Sequence, residues 1–139
     1  MSDVTLIPEG FESLNRISNF VNLFGPVFQK KTDTTYILAL RVEEKHCNIR
    51  GNLHGGVVSS LADTAMGYNI AFSESPPTSS VTVNLTVDYI GRIQKNDWLE
   101  AHVDIEKKGN RIVFVSCRFF VENKKVARAN GVFNLLAKK

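Results

Sequence analysis

The sequence offers little for metal, disulfide or membrane chemistry. It has only two cysteines, Cys47 and Cys117, in 139 residues. They form no CxxC pair, so a reducing cytosol is expected rather than a disulfide scaffold. His46 beside Cys47 gives two adjacent donors without further ligands at metal spacing, so no metal site is predicted. Neither sign of charge dominates. The 17 basic and 14 acidic residues leave a net charge of +3, too mild to indicate a nucleic-acid partner, and no nucleic-acid motif is present. No uncharged apolar run reaches the roughly 20 residues that span a bilayer. No basic segment followed by an apolar one opens the chain, so no signal peptide is read. The Gly-x-Ser-x-Gly elbow of serine hydrolases is missing. No stretch has the composition of a linker. These absences leave one globular domain over residues 1–139, expected to be cytoplasmic and without membrane insertion.

What is present centres on Asn48-Ile49-Arg50-Gly51-Asn52-Leu53-His54-Gly55-Gly56 and the segment from Val57 to Phe72. The first part reads as a glycine-marked loop. The second reads as a helix of four to five turns, apolar at Val57, Val58, Leu61, Ala62, Ala65, Met66, Ile70 and Phe72. That spread is wider than a single stripe, so the helix should be covered on most sides. Gly56, Ser60, Asp63 and Gly67 share one small, polar face whose only charge is Asp63. A carboxylate on a largely buried helix needs a partner or solvent. Two readings follow: Asp63 bonds Ser59 or Ser60 and steadies the first turns, or it does chemistry. Gly55 and Gly56 should leave unshielded N–H groups at the positive helix end, where anions or oxyanions bind. Alternatively the glycines only permit a turn with φ > 0. His54 is a donor in such a site or a turn residue.

Elsewhere, Phe11, Leu14, Ile17, Phe20, Val21 and Leu23 have helical spacing, predicting a short amphipathic helix over residues 10–23 ended by Gly25-Pro26. Phe24, Val27 and Phe28 would pack on a sheet edge or line a pocket. Residues 30–33 read as a turn. Tyr36, Leu38, Leu40 and Val42 alternate as a first strand. After the loop over residues 73–79 come four more alternating segments. Their apolar rows are Val81 to Tyr89, Leu99 to Ile105, Val113 to Val121, and Ala127 to Leu135. Short turns near Gly109 and Asn123 imply antiparallel hairpins, and a four-strand meander is expected. The long helix is the only large element able to cover the sheet's apolar face, so the sheet should curl around it. Further apolar residues on the opposite face (Ile112, Phe114, Phe120, Val126, Val132, Leu136) point to an oligomer.

These features together resemble the hotdog-fold acyl-CoA thioesterases, in particular the phenylacetate-degradation (PaaI-like) group and its eukaryotic thioesterase-superfamily-member branch. The resemblance runs from about Val42 to Leu136. It is carried by residues 42–46, Asn48, residues 51–56 and Leu61-Ala62-Asp63, with Asn48 six before His54 and Asp63 nine after it. It implies an α+β hotdog fold, with an antiparallel sheet curled around one long central helix and a short N-terminal helix. It also implies that Asp63 is the general base, or the nucleophile, in thioester hydrolysis. The Gly55 N–H would hold the oxyanion, Asn48 would position the thioester, and His54 would support that arrangement. Thr82 matches a serine that holds water in the eukaryotic branch, with an added methyl. The sites would form between two copies, Asp63 and Thr82 facing Asn48 and Gly55 of the other, in a homodimer and further in a homotetramer. No cofactor is implied beyond the coenzyme A of the substrate.

The chemistry is reasonable, because a thioester is activated toward attack. An oxyanion donor contributes about 3–4 kcal/mol, and general-base help about 10²–10⁴-fold. Arg92, Lys95, Lys107, Lys108 and Arg111 lie at predicted strand ends, where they would meet coenzyme A phosphates or simply be solvated. Tyr68, Phe72 and Phe24 would line the acyl pocket or fill the core. Two other readings stay open. One is an acyl-CoA hydratase or dehydratase, which would need a His–acid pair. The other is a non-catalytic acyl-CoA-binding protein, which would need an output module.

Overall fold

The computed structural model describes residues 6–14 and 18–137. In chain order these form β1 (Glu12–Ser13), α1 (Asn19–Phe24), β2 (Phe28–Lys31), β3 (Tyr36–Arg41), a 3₁₀ turn (Glu44–His46), α2 (Gly55–Ala71), β4 (Ser80–Tyr89), β5 (Trp98–Lys108), β6 (Ile112–Val121) and β7 (Lys124–Leu135). All seven strands belong to one antiparallel sheet in the order β1-β2-β3-β5-β6-β7-β4.

The sheet curls around α2. Val58, Leu61, Ala62, Ala65, Met66 and Ile70 of the helix are all buried. Leu40, Leu99, Val115, Phe119 and Phe133 from four strands belong to the same core cluster. Cys117 is buried there too, and burial pushes its thiol pKa up to about 12, so it stays protonated. Gly131 lets β7 come close to the helix: a Cβ there would lie 2.7 Å from Met66 Sδ.

Several expectations are corrected. The N-terminal helix covers only Asn19–Phe24, and residues 12–13 pair as a strand instead. Ile17, assigned to that helix, falls outside the described residues. Ser18 starts the helix by accepting from Val21 N; Phe20 and Leu23 of the helical spacing are left exposed while Val21 and Phe24 are buried. The turn expected over residues 30–33 is displaced: Lys30 and Lys31 belong to a strand over residues 28–31 paired with β3, and the turn closes between Thr32 and Thr35. The helix α2 begins at Gly55, two residues before Val57.

The four-strand meander is also corrected. β5, β6 and β7 do form one, but among the described residues β4 lies at the far edge and pairs only with β7, while β5 pairs with β3. Chain neighbours usually lie side by side. Here the helix between β3 and β4 carries the chain across the whole sheet.

A bulge corrects the facing of β4. Its register to β7 shifts between Thr82 and Asn84, so Val83 is the extra residue. Leu85 and Val87 pack against the core, but Val81 and Val83 are 47% and 59% exposed. Thr82, opposite the buried Phe133, turns toward the helix. A second bulge, between β6 and β7, buries Val126, which was expected on the outer face.

Candidate functional site

The loop before α2 is built by its asparagines. Asn48 Oδ1 accepts from Arg50 N at 2.9 Å and Asn52 N at 3.2 Å. Asn52 Oδ1 in turn accepts from Arg92 Nε at 2.7 Å. Leu53 N donates to Ile93 O, so the loop is tied to the segment after β4. Gly51 supplies the turn, with φ at +82°.

His54 is the N-cap of α2. Its Nδ1 accepts from Gly56 N at 2.8 Å, and its carbonyl accepts from Val57 N. The Gly56 amide is therefore shielded, contrary to the expectation of two open donors. Gly55 differs: among the described residues, its N–H makes no hydrogen bond. One bare donor thus remains at the positive end of a five-turn helix.

Neither Gly55 nor Gly56 has a positive φ. Gly55 is needed for a close approach: a Cβ there would sit 3.1 Å from the Tyr89 ring. The Tyr89 hydroxyl donates to Gly55 O at 2.9 Å and contacts Ser59 Oγ at 3.1 Å. The sequence places Tyr89 in an apolar row and gives no sign of this clamp.

Asp63 lies two turns further along. Its Oδ1 accepts from Thr82 Oγ1 at 2.5 Å. Ser59 and Ser60 do not hold it, since their hydroxyls donate back to Gly55 O and Gly56 O. Asp63 and Thr82 line a cavity of about 490 Å³ that continues past Gly67, Tyr68 and Ala71 to Phe72. A separate cavity of about 450 Å³ contains Gly55, Gly56, Tyr89 and Arg92. Eight residues of helix separate Gly55 from Asp63, about 12 Å. The bare donor and the carboxylate of one chain therefore face different cavities.

The predicted cations also divide. Arg92 lines the cavity at the start of α2. Lys108 reaches past its other end, donating to Ser73 Oγ at 3.0 Å and pairing with Glu74 at 2.6 Å. Lys107 and Arg111 are exposed on the same hairpin. Lys95 lines a third pocket with Arg41 and Glu43. Tyr68 and Phe72 line the Asp63 cavity, whereas Phe24 lies in the core cluster and packs on Phe20.

His46 is structural. Its Nδ1 accepts from Glu43 N and its Nε2–H donates to Phe24 O at 2.5 Å, so both ring nitrogens are occupied. Among the described residues, no three His, Cys, Asp or Glu side chains are grouped to hold a metal. No described helix is long and apolar enough to cross a membrane.

Comparison with known proteins adds three relatives and one family. The family model described as "Thioesterase superfamily" matches residues 50–127. A protein of Pseudomonas aeruginosa, provisionally named an esterase, is 45% identical over 130 residues, covering 93% of this chain and 97% of its own. Human acyl-coenzyme A thioesterase 13 is 27% identical over 110 residues, covering 78% of this chain and 77% of its own. A Bacillus halodurans protein solved with CoA superposes with a TM-score of 0.69 at 25% identity, covering 76% of this chain and 70% of that one.

Proposed function

The chain belongs to the thioesterase superfamily and has its hotdog fold, and on that premise we propose that it hydrolyses acyl-CoA thioesters at a site shared by two copies. The carrying observation is the Thr82-bonded Asp63 carboxylate in one cavity and the bare Gly55 N–H in another, about 12 Å away along the same helix. Neither half is a complete site.

Antiparallel pairing of two copies along β4 would complete both. β4 is an edge strand with unpaired backbone groups and exposed valines. A two-fold axis across that edge sets the Thr82 end of one copy beside the Tyr89 end of the other. Asp63 then faces the Gly55 amide of the second copy, with Asn48 near it on the loop. A homotetramer would require a further contact between such dimers.

In this reading Asp63 takes a proton from a water molecule, whose oxygen attacks the thioester carbonyl carbon. The Gly55 N–H of the other copy stabilises the oxyanion. The C–S bond then breaks, the thiolate of coenzyme A leaves and takes up a proton, and the free acid remains. Thr82 fixes the carboxylate's orientation. Direct attack by Asp63 through an anhydride uses the same groups. Arg92, in the Gly55 cavity, is the cation best placed for coenzyme A phosphate; Lys107, Lys108 and Arg111 lie at the other helix end, and Lys108 already pairs with Glu74. We place the reaction in the cytoplasm, a compartment that suits the free Cys47 and Cys117.

Release of free thiol from acyl-CoA by the purified protein is the test. Enoyl product from a 3-hydroxyacyl-CoA would instead identify a hydratase, and binding with no thiol released would identify a sensor.

A further inference from the structure

We propose that Thr78 is a specificity-determining residue of the Asp63 cavity, its hydroxyl selecting acyl groups that carry a neutral oxygen, hydroxyl or keto, remote from the thioester. This rests on the acyl-CoA hydrolase reading above.

The first observation is an unused hydroxyl. Thr78 lines the cavity and is only 8% exposed. Its N–H donates to Ala71 O at 3.1 Å, which ties it to the last residue of α2. Its side-chain oxygen makes no hydrogen bond among the described residues. Nor is that oxygen sealed off. Among the described residues, Arg41 Nε is the one fully buried side-chain nitrogen or oxygen without a partner, so Thr78 Oγ1 keeps access to the cavity it lines. Buried hydroxyls ordinarily have a partner. Here the place for one is the space the acyl group would enter.

The second observation is the company Thr78 keeps. Six of the lining residues are serine or threonine, and of these Thr78 alone is buried. Thr78, Ser80 and Thr82 stand at alternate positions on the segment that enters β4. Thr82 is spent on Asp63, Thr64 Oγ1 donates to Ser60 O, and Ser18 Oγ accepts from Val21 N. Ser79 is exposed and Ser80 half-buried, so water serves their hydroxyls. Thr78 is the enclosed hydroxyl left for a substrate.

Position and charge define what it would bind. Ala71 lies eight residues after Asp63, about 12 Å along the helix. A group that meets Thr78 is therefore remote from the reacting carbonyl. Among the described residues, Asp63 is the only charged side chain in the lining, and Lys108, beyond the helix end, is already paired with Glu74. A second carboxylate on the acyl group would find no cation in the lining and would be repelled by Asp63. A hydroxyl can donate to Thr78 Oγ1 or accept from it, and a keto oxygen can accept. A hydrocarbon end would strip water from Thr78 and return no hydrogen bond, and a polar site discriminates most strongly against such an analogue.

The experiment is kcat/KM for 6-hydroxyhexanoyl-, 8-hydroxyoctanoyl- and 10-hydroxydecanoyl-CoA. Each is measured against the unsubstituted acyl-CoA of the same length and against the one ending in a carboxylate. At one or more lengths the hydroxyacyl-CoA should exceed both by at least tenfold. Thr78→Val keeps the shape and the backbone bond and should bring the hydroxyacyl-to-acyl ratio to within twofold of one, while Thr78→Ser should retain most of it. Thr78→Ala gives the same reading if the valine variant does not fold. Ser80→Ala should leave the ratio within twofold of the parent's. Preference for the unsubstituted or carboxylate-ended substrate at every length would overturn the assignment while leaving hydrolysis standing. So would an unchanged ratio in folded Thr78→Val or Thr78→Ala, or a larger loss in Ser80→Ala. Absence of thiol release from every acyl-CoA would instead remove the hydrolase reading and this inference with it.

Discussion

Thr82 donates its hydroxyl proton to Asp63 Oδ1 across 2.5 Å, joining the edge strand to the central helix at the helix's one charged side chain. Asp63→Asn should keep the shape and lose the base. Turnover should fall by about 10²–10⁴-fold, while acyl-CoA still binds in a calorimetric titration. Thr82→Val should lower kcat with little change in KM, and Thr82→Ser should restore most of it. Equal activity in Asp63→Asn would remove the base assignment.

The Tyr89 clamp gives a second prediction. Tyr89→Phe deletes the hydrogen bond to Gly55 O and should lower stability by about 0.5–1.5 kcal/mol, read from urea unfolding. Gly55→Ala drives a methyl into the Tyr89 ring at 3.1 Å. It should therefore reduce kcat more than Tyr89→Phe does, because the bare amide itself must shift. The reverse ranking would count against Gly55 as the oxyanion donor.

The free edge gives a third. Val83→Lys places a charge on the exposed side of β4. It should leave the circular dichroism spectrum unchanged, shift the protein to monomer in sedimentation, and abolish turnover. Mixing it with Asp63→Asn should not rescue activity. A monomer with full turnover would end the shared-site reading.

A fourth concerns pH. On the outer sheet face, Glu100 Oε1 bonds His102 Nε2 at 2.9 Å, and Glu100 Oε2 accepts from Trp98 Nε1 at 3.1 Å. The His102 bond, opposed in part by burial, holds the carboxyl below its usual 4.5. A lowered pKa means the folded state favours the ionised form. The resulting stability is present above pH 4.5 and is lost as pH falls through the folded value. Glu100→Gln should thus lower the melting temperature at pH 7 and flatten its decline in acid. Parallel melting curves for the two proteins from pH 7 to pH 3 would refute this.

Much of this fold was legible from spacing. The wide apolar coverage of residues 57–72 announces a wrapped helix, and α2 is one. Strict alternation identifies β5, β6 and β7, whose inner rows are buried as expected except at their half-buried ends, Ile105, Val121 and Leu135. The place of β4 was not legible, because alternation reports which residues share a face and is silent about the neighbouring strand. Bulges escaped for a related reason: a single extra residue leaves the hydrophobic pattern looking continuous. The loop and helix start that carry Asn48, His54, Gly55 and Asp63 were visible as a stretch. Which amide stays open was not, since that depends on the direction of the His54 ring.

The extra residue at Val83 acts as a phase corrector. Uninterrupted alternation would turn odd-numbered side chains inward along the whole of β4 and send Thr82 to the outside. With the count restarted, the strand's downstream half serves the core while its upstream half offers valines outward and a hydroxyl inward. One inserted position thus supplies, in the same few residues, both the greasy rim of the edge and the polar contact that aims the acid.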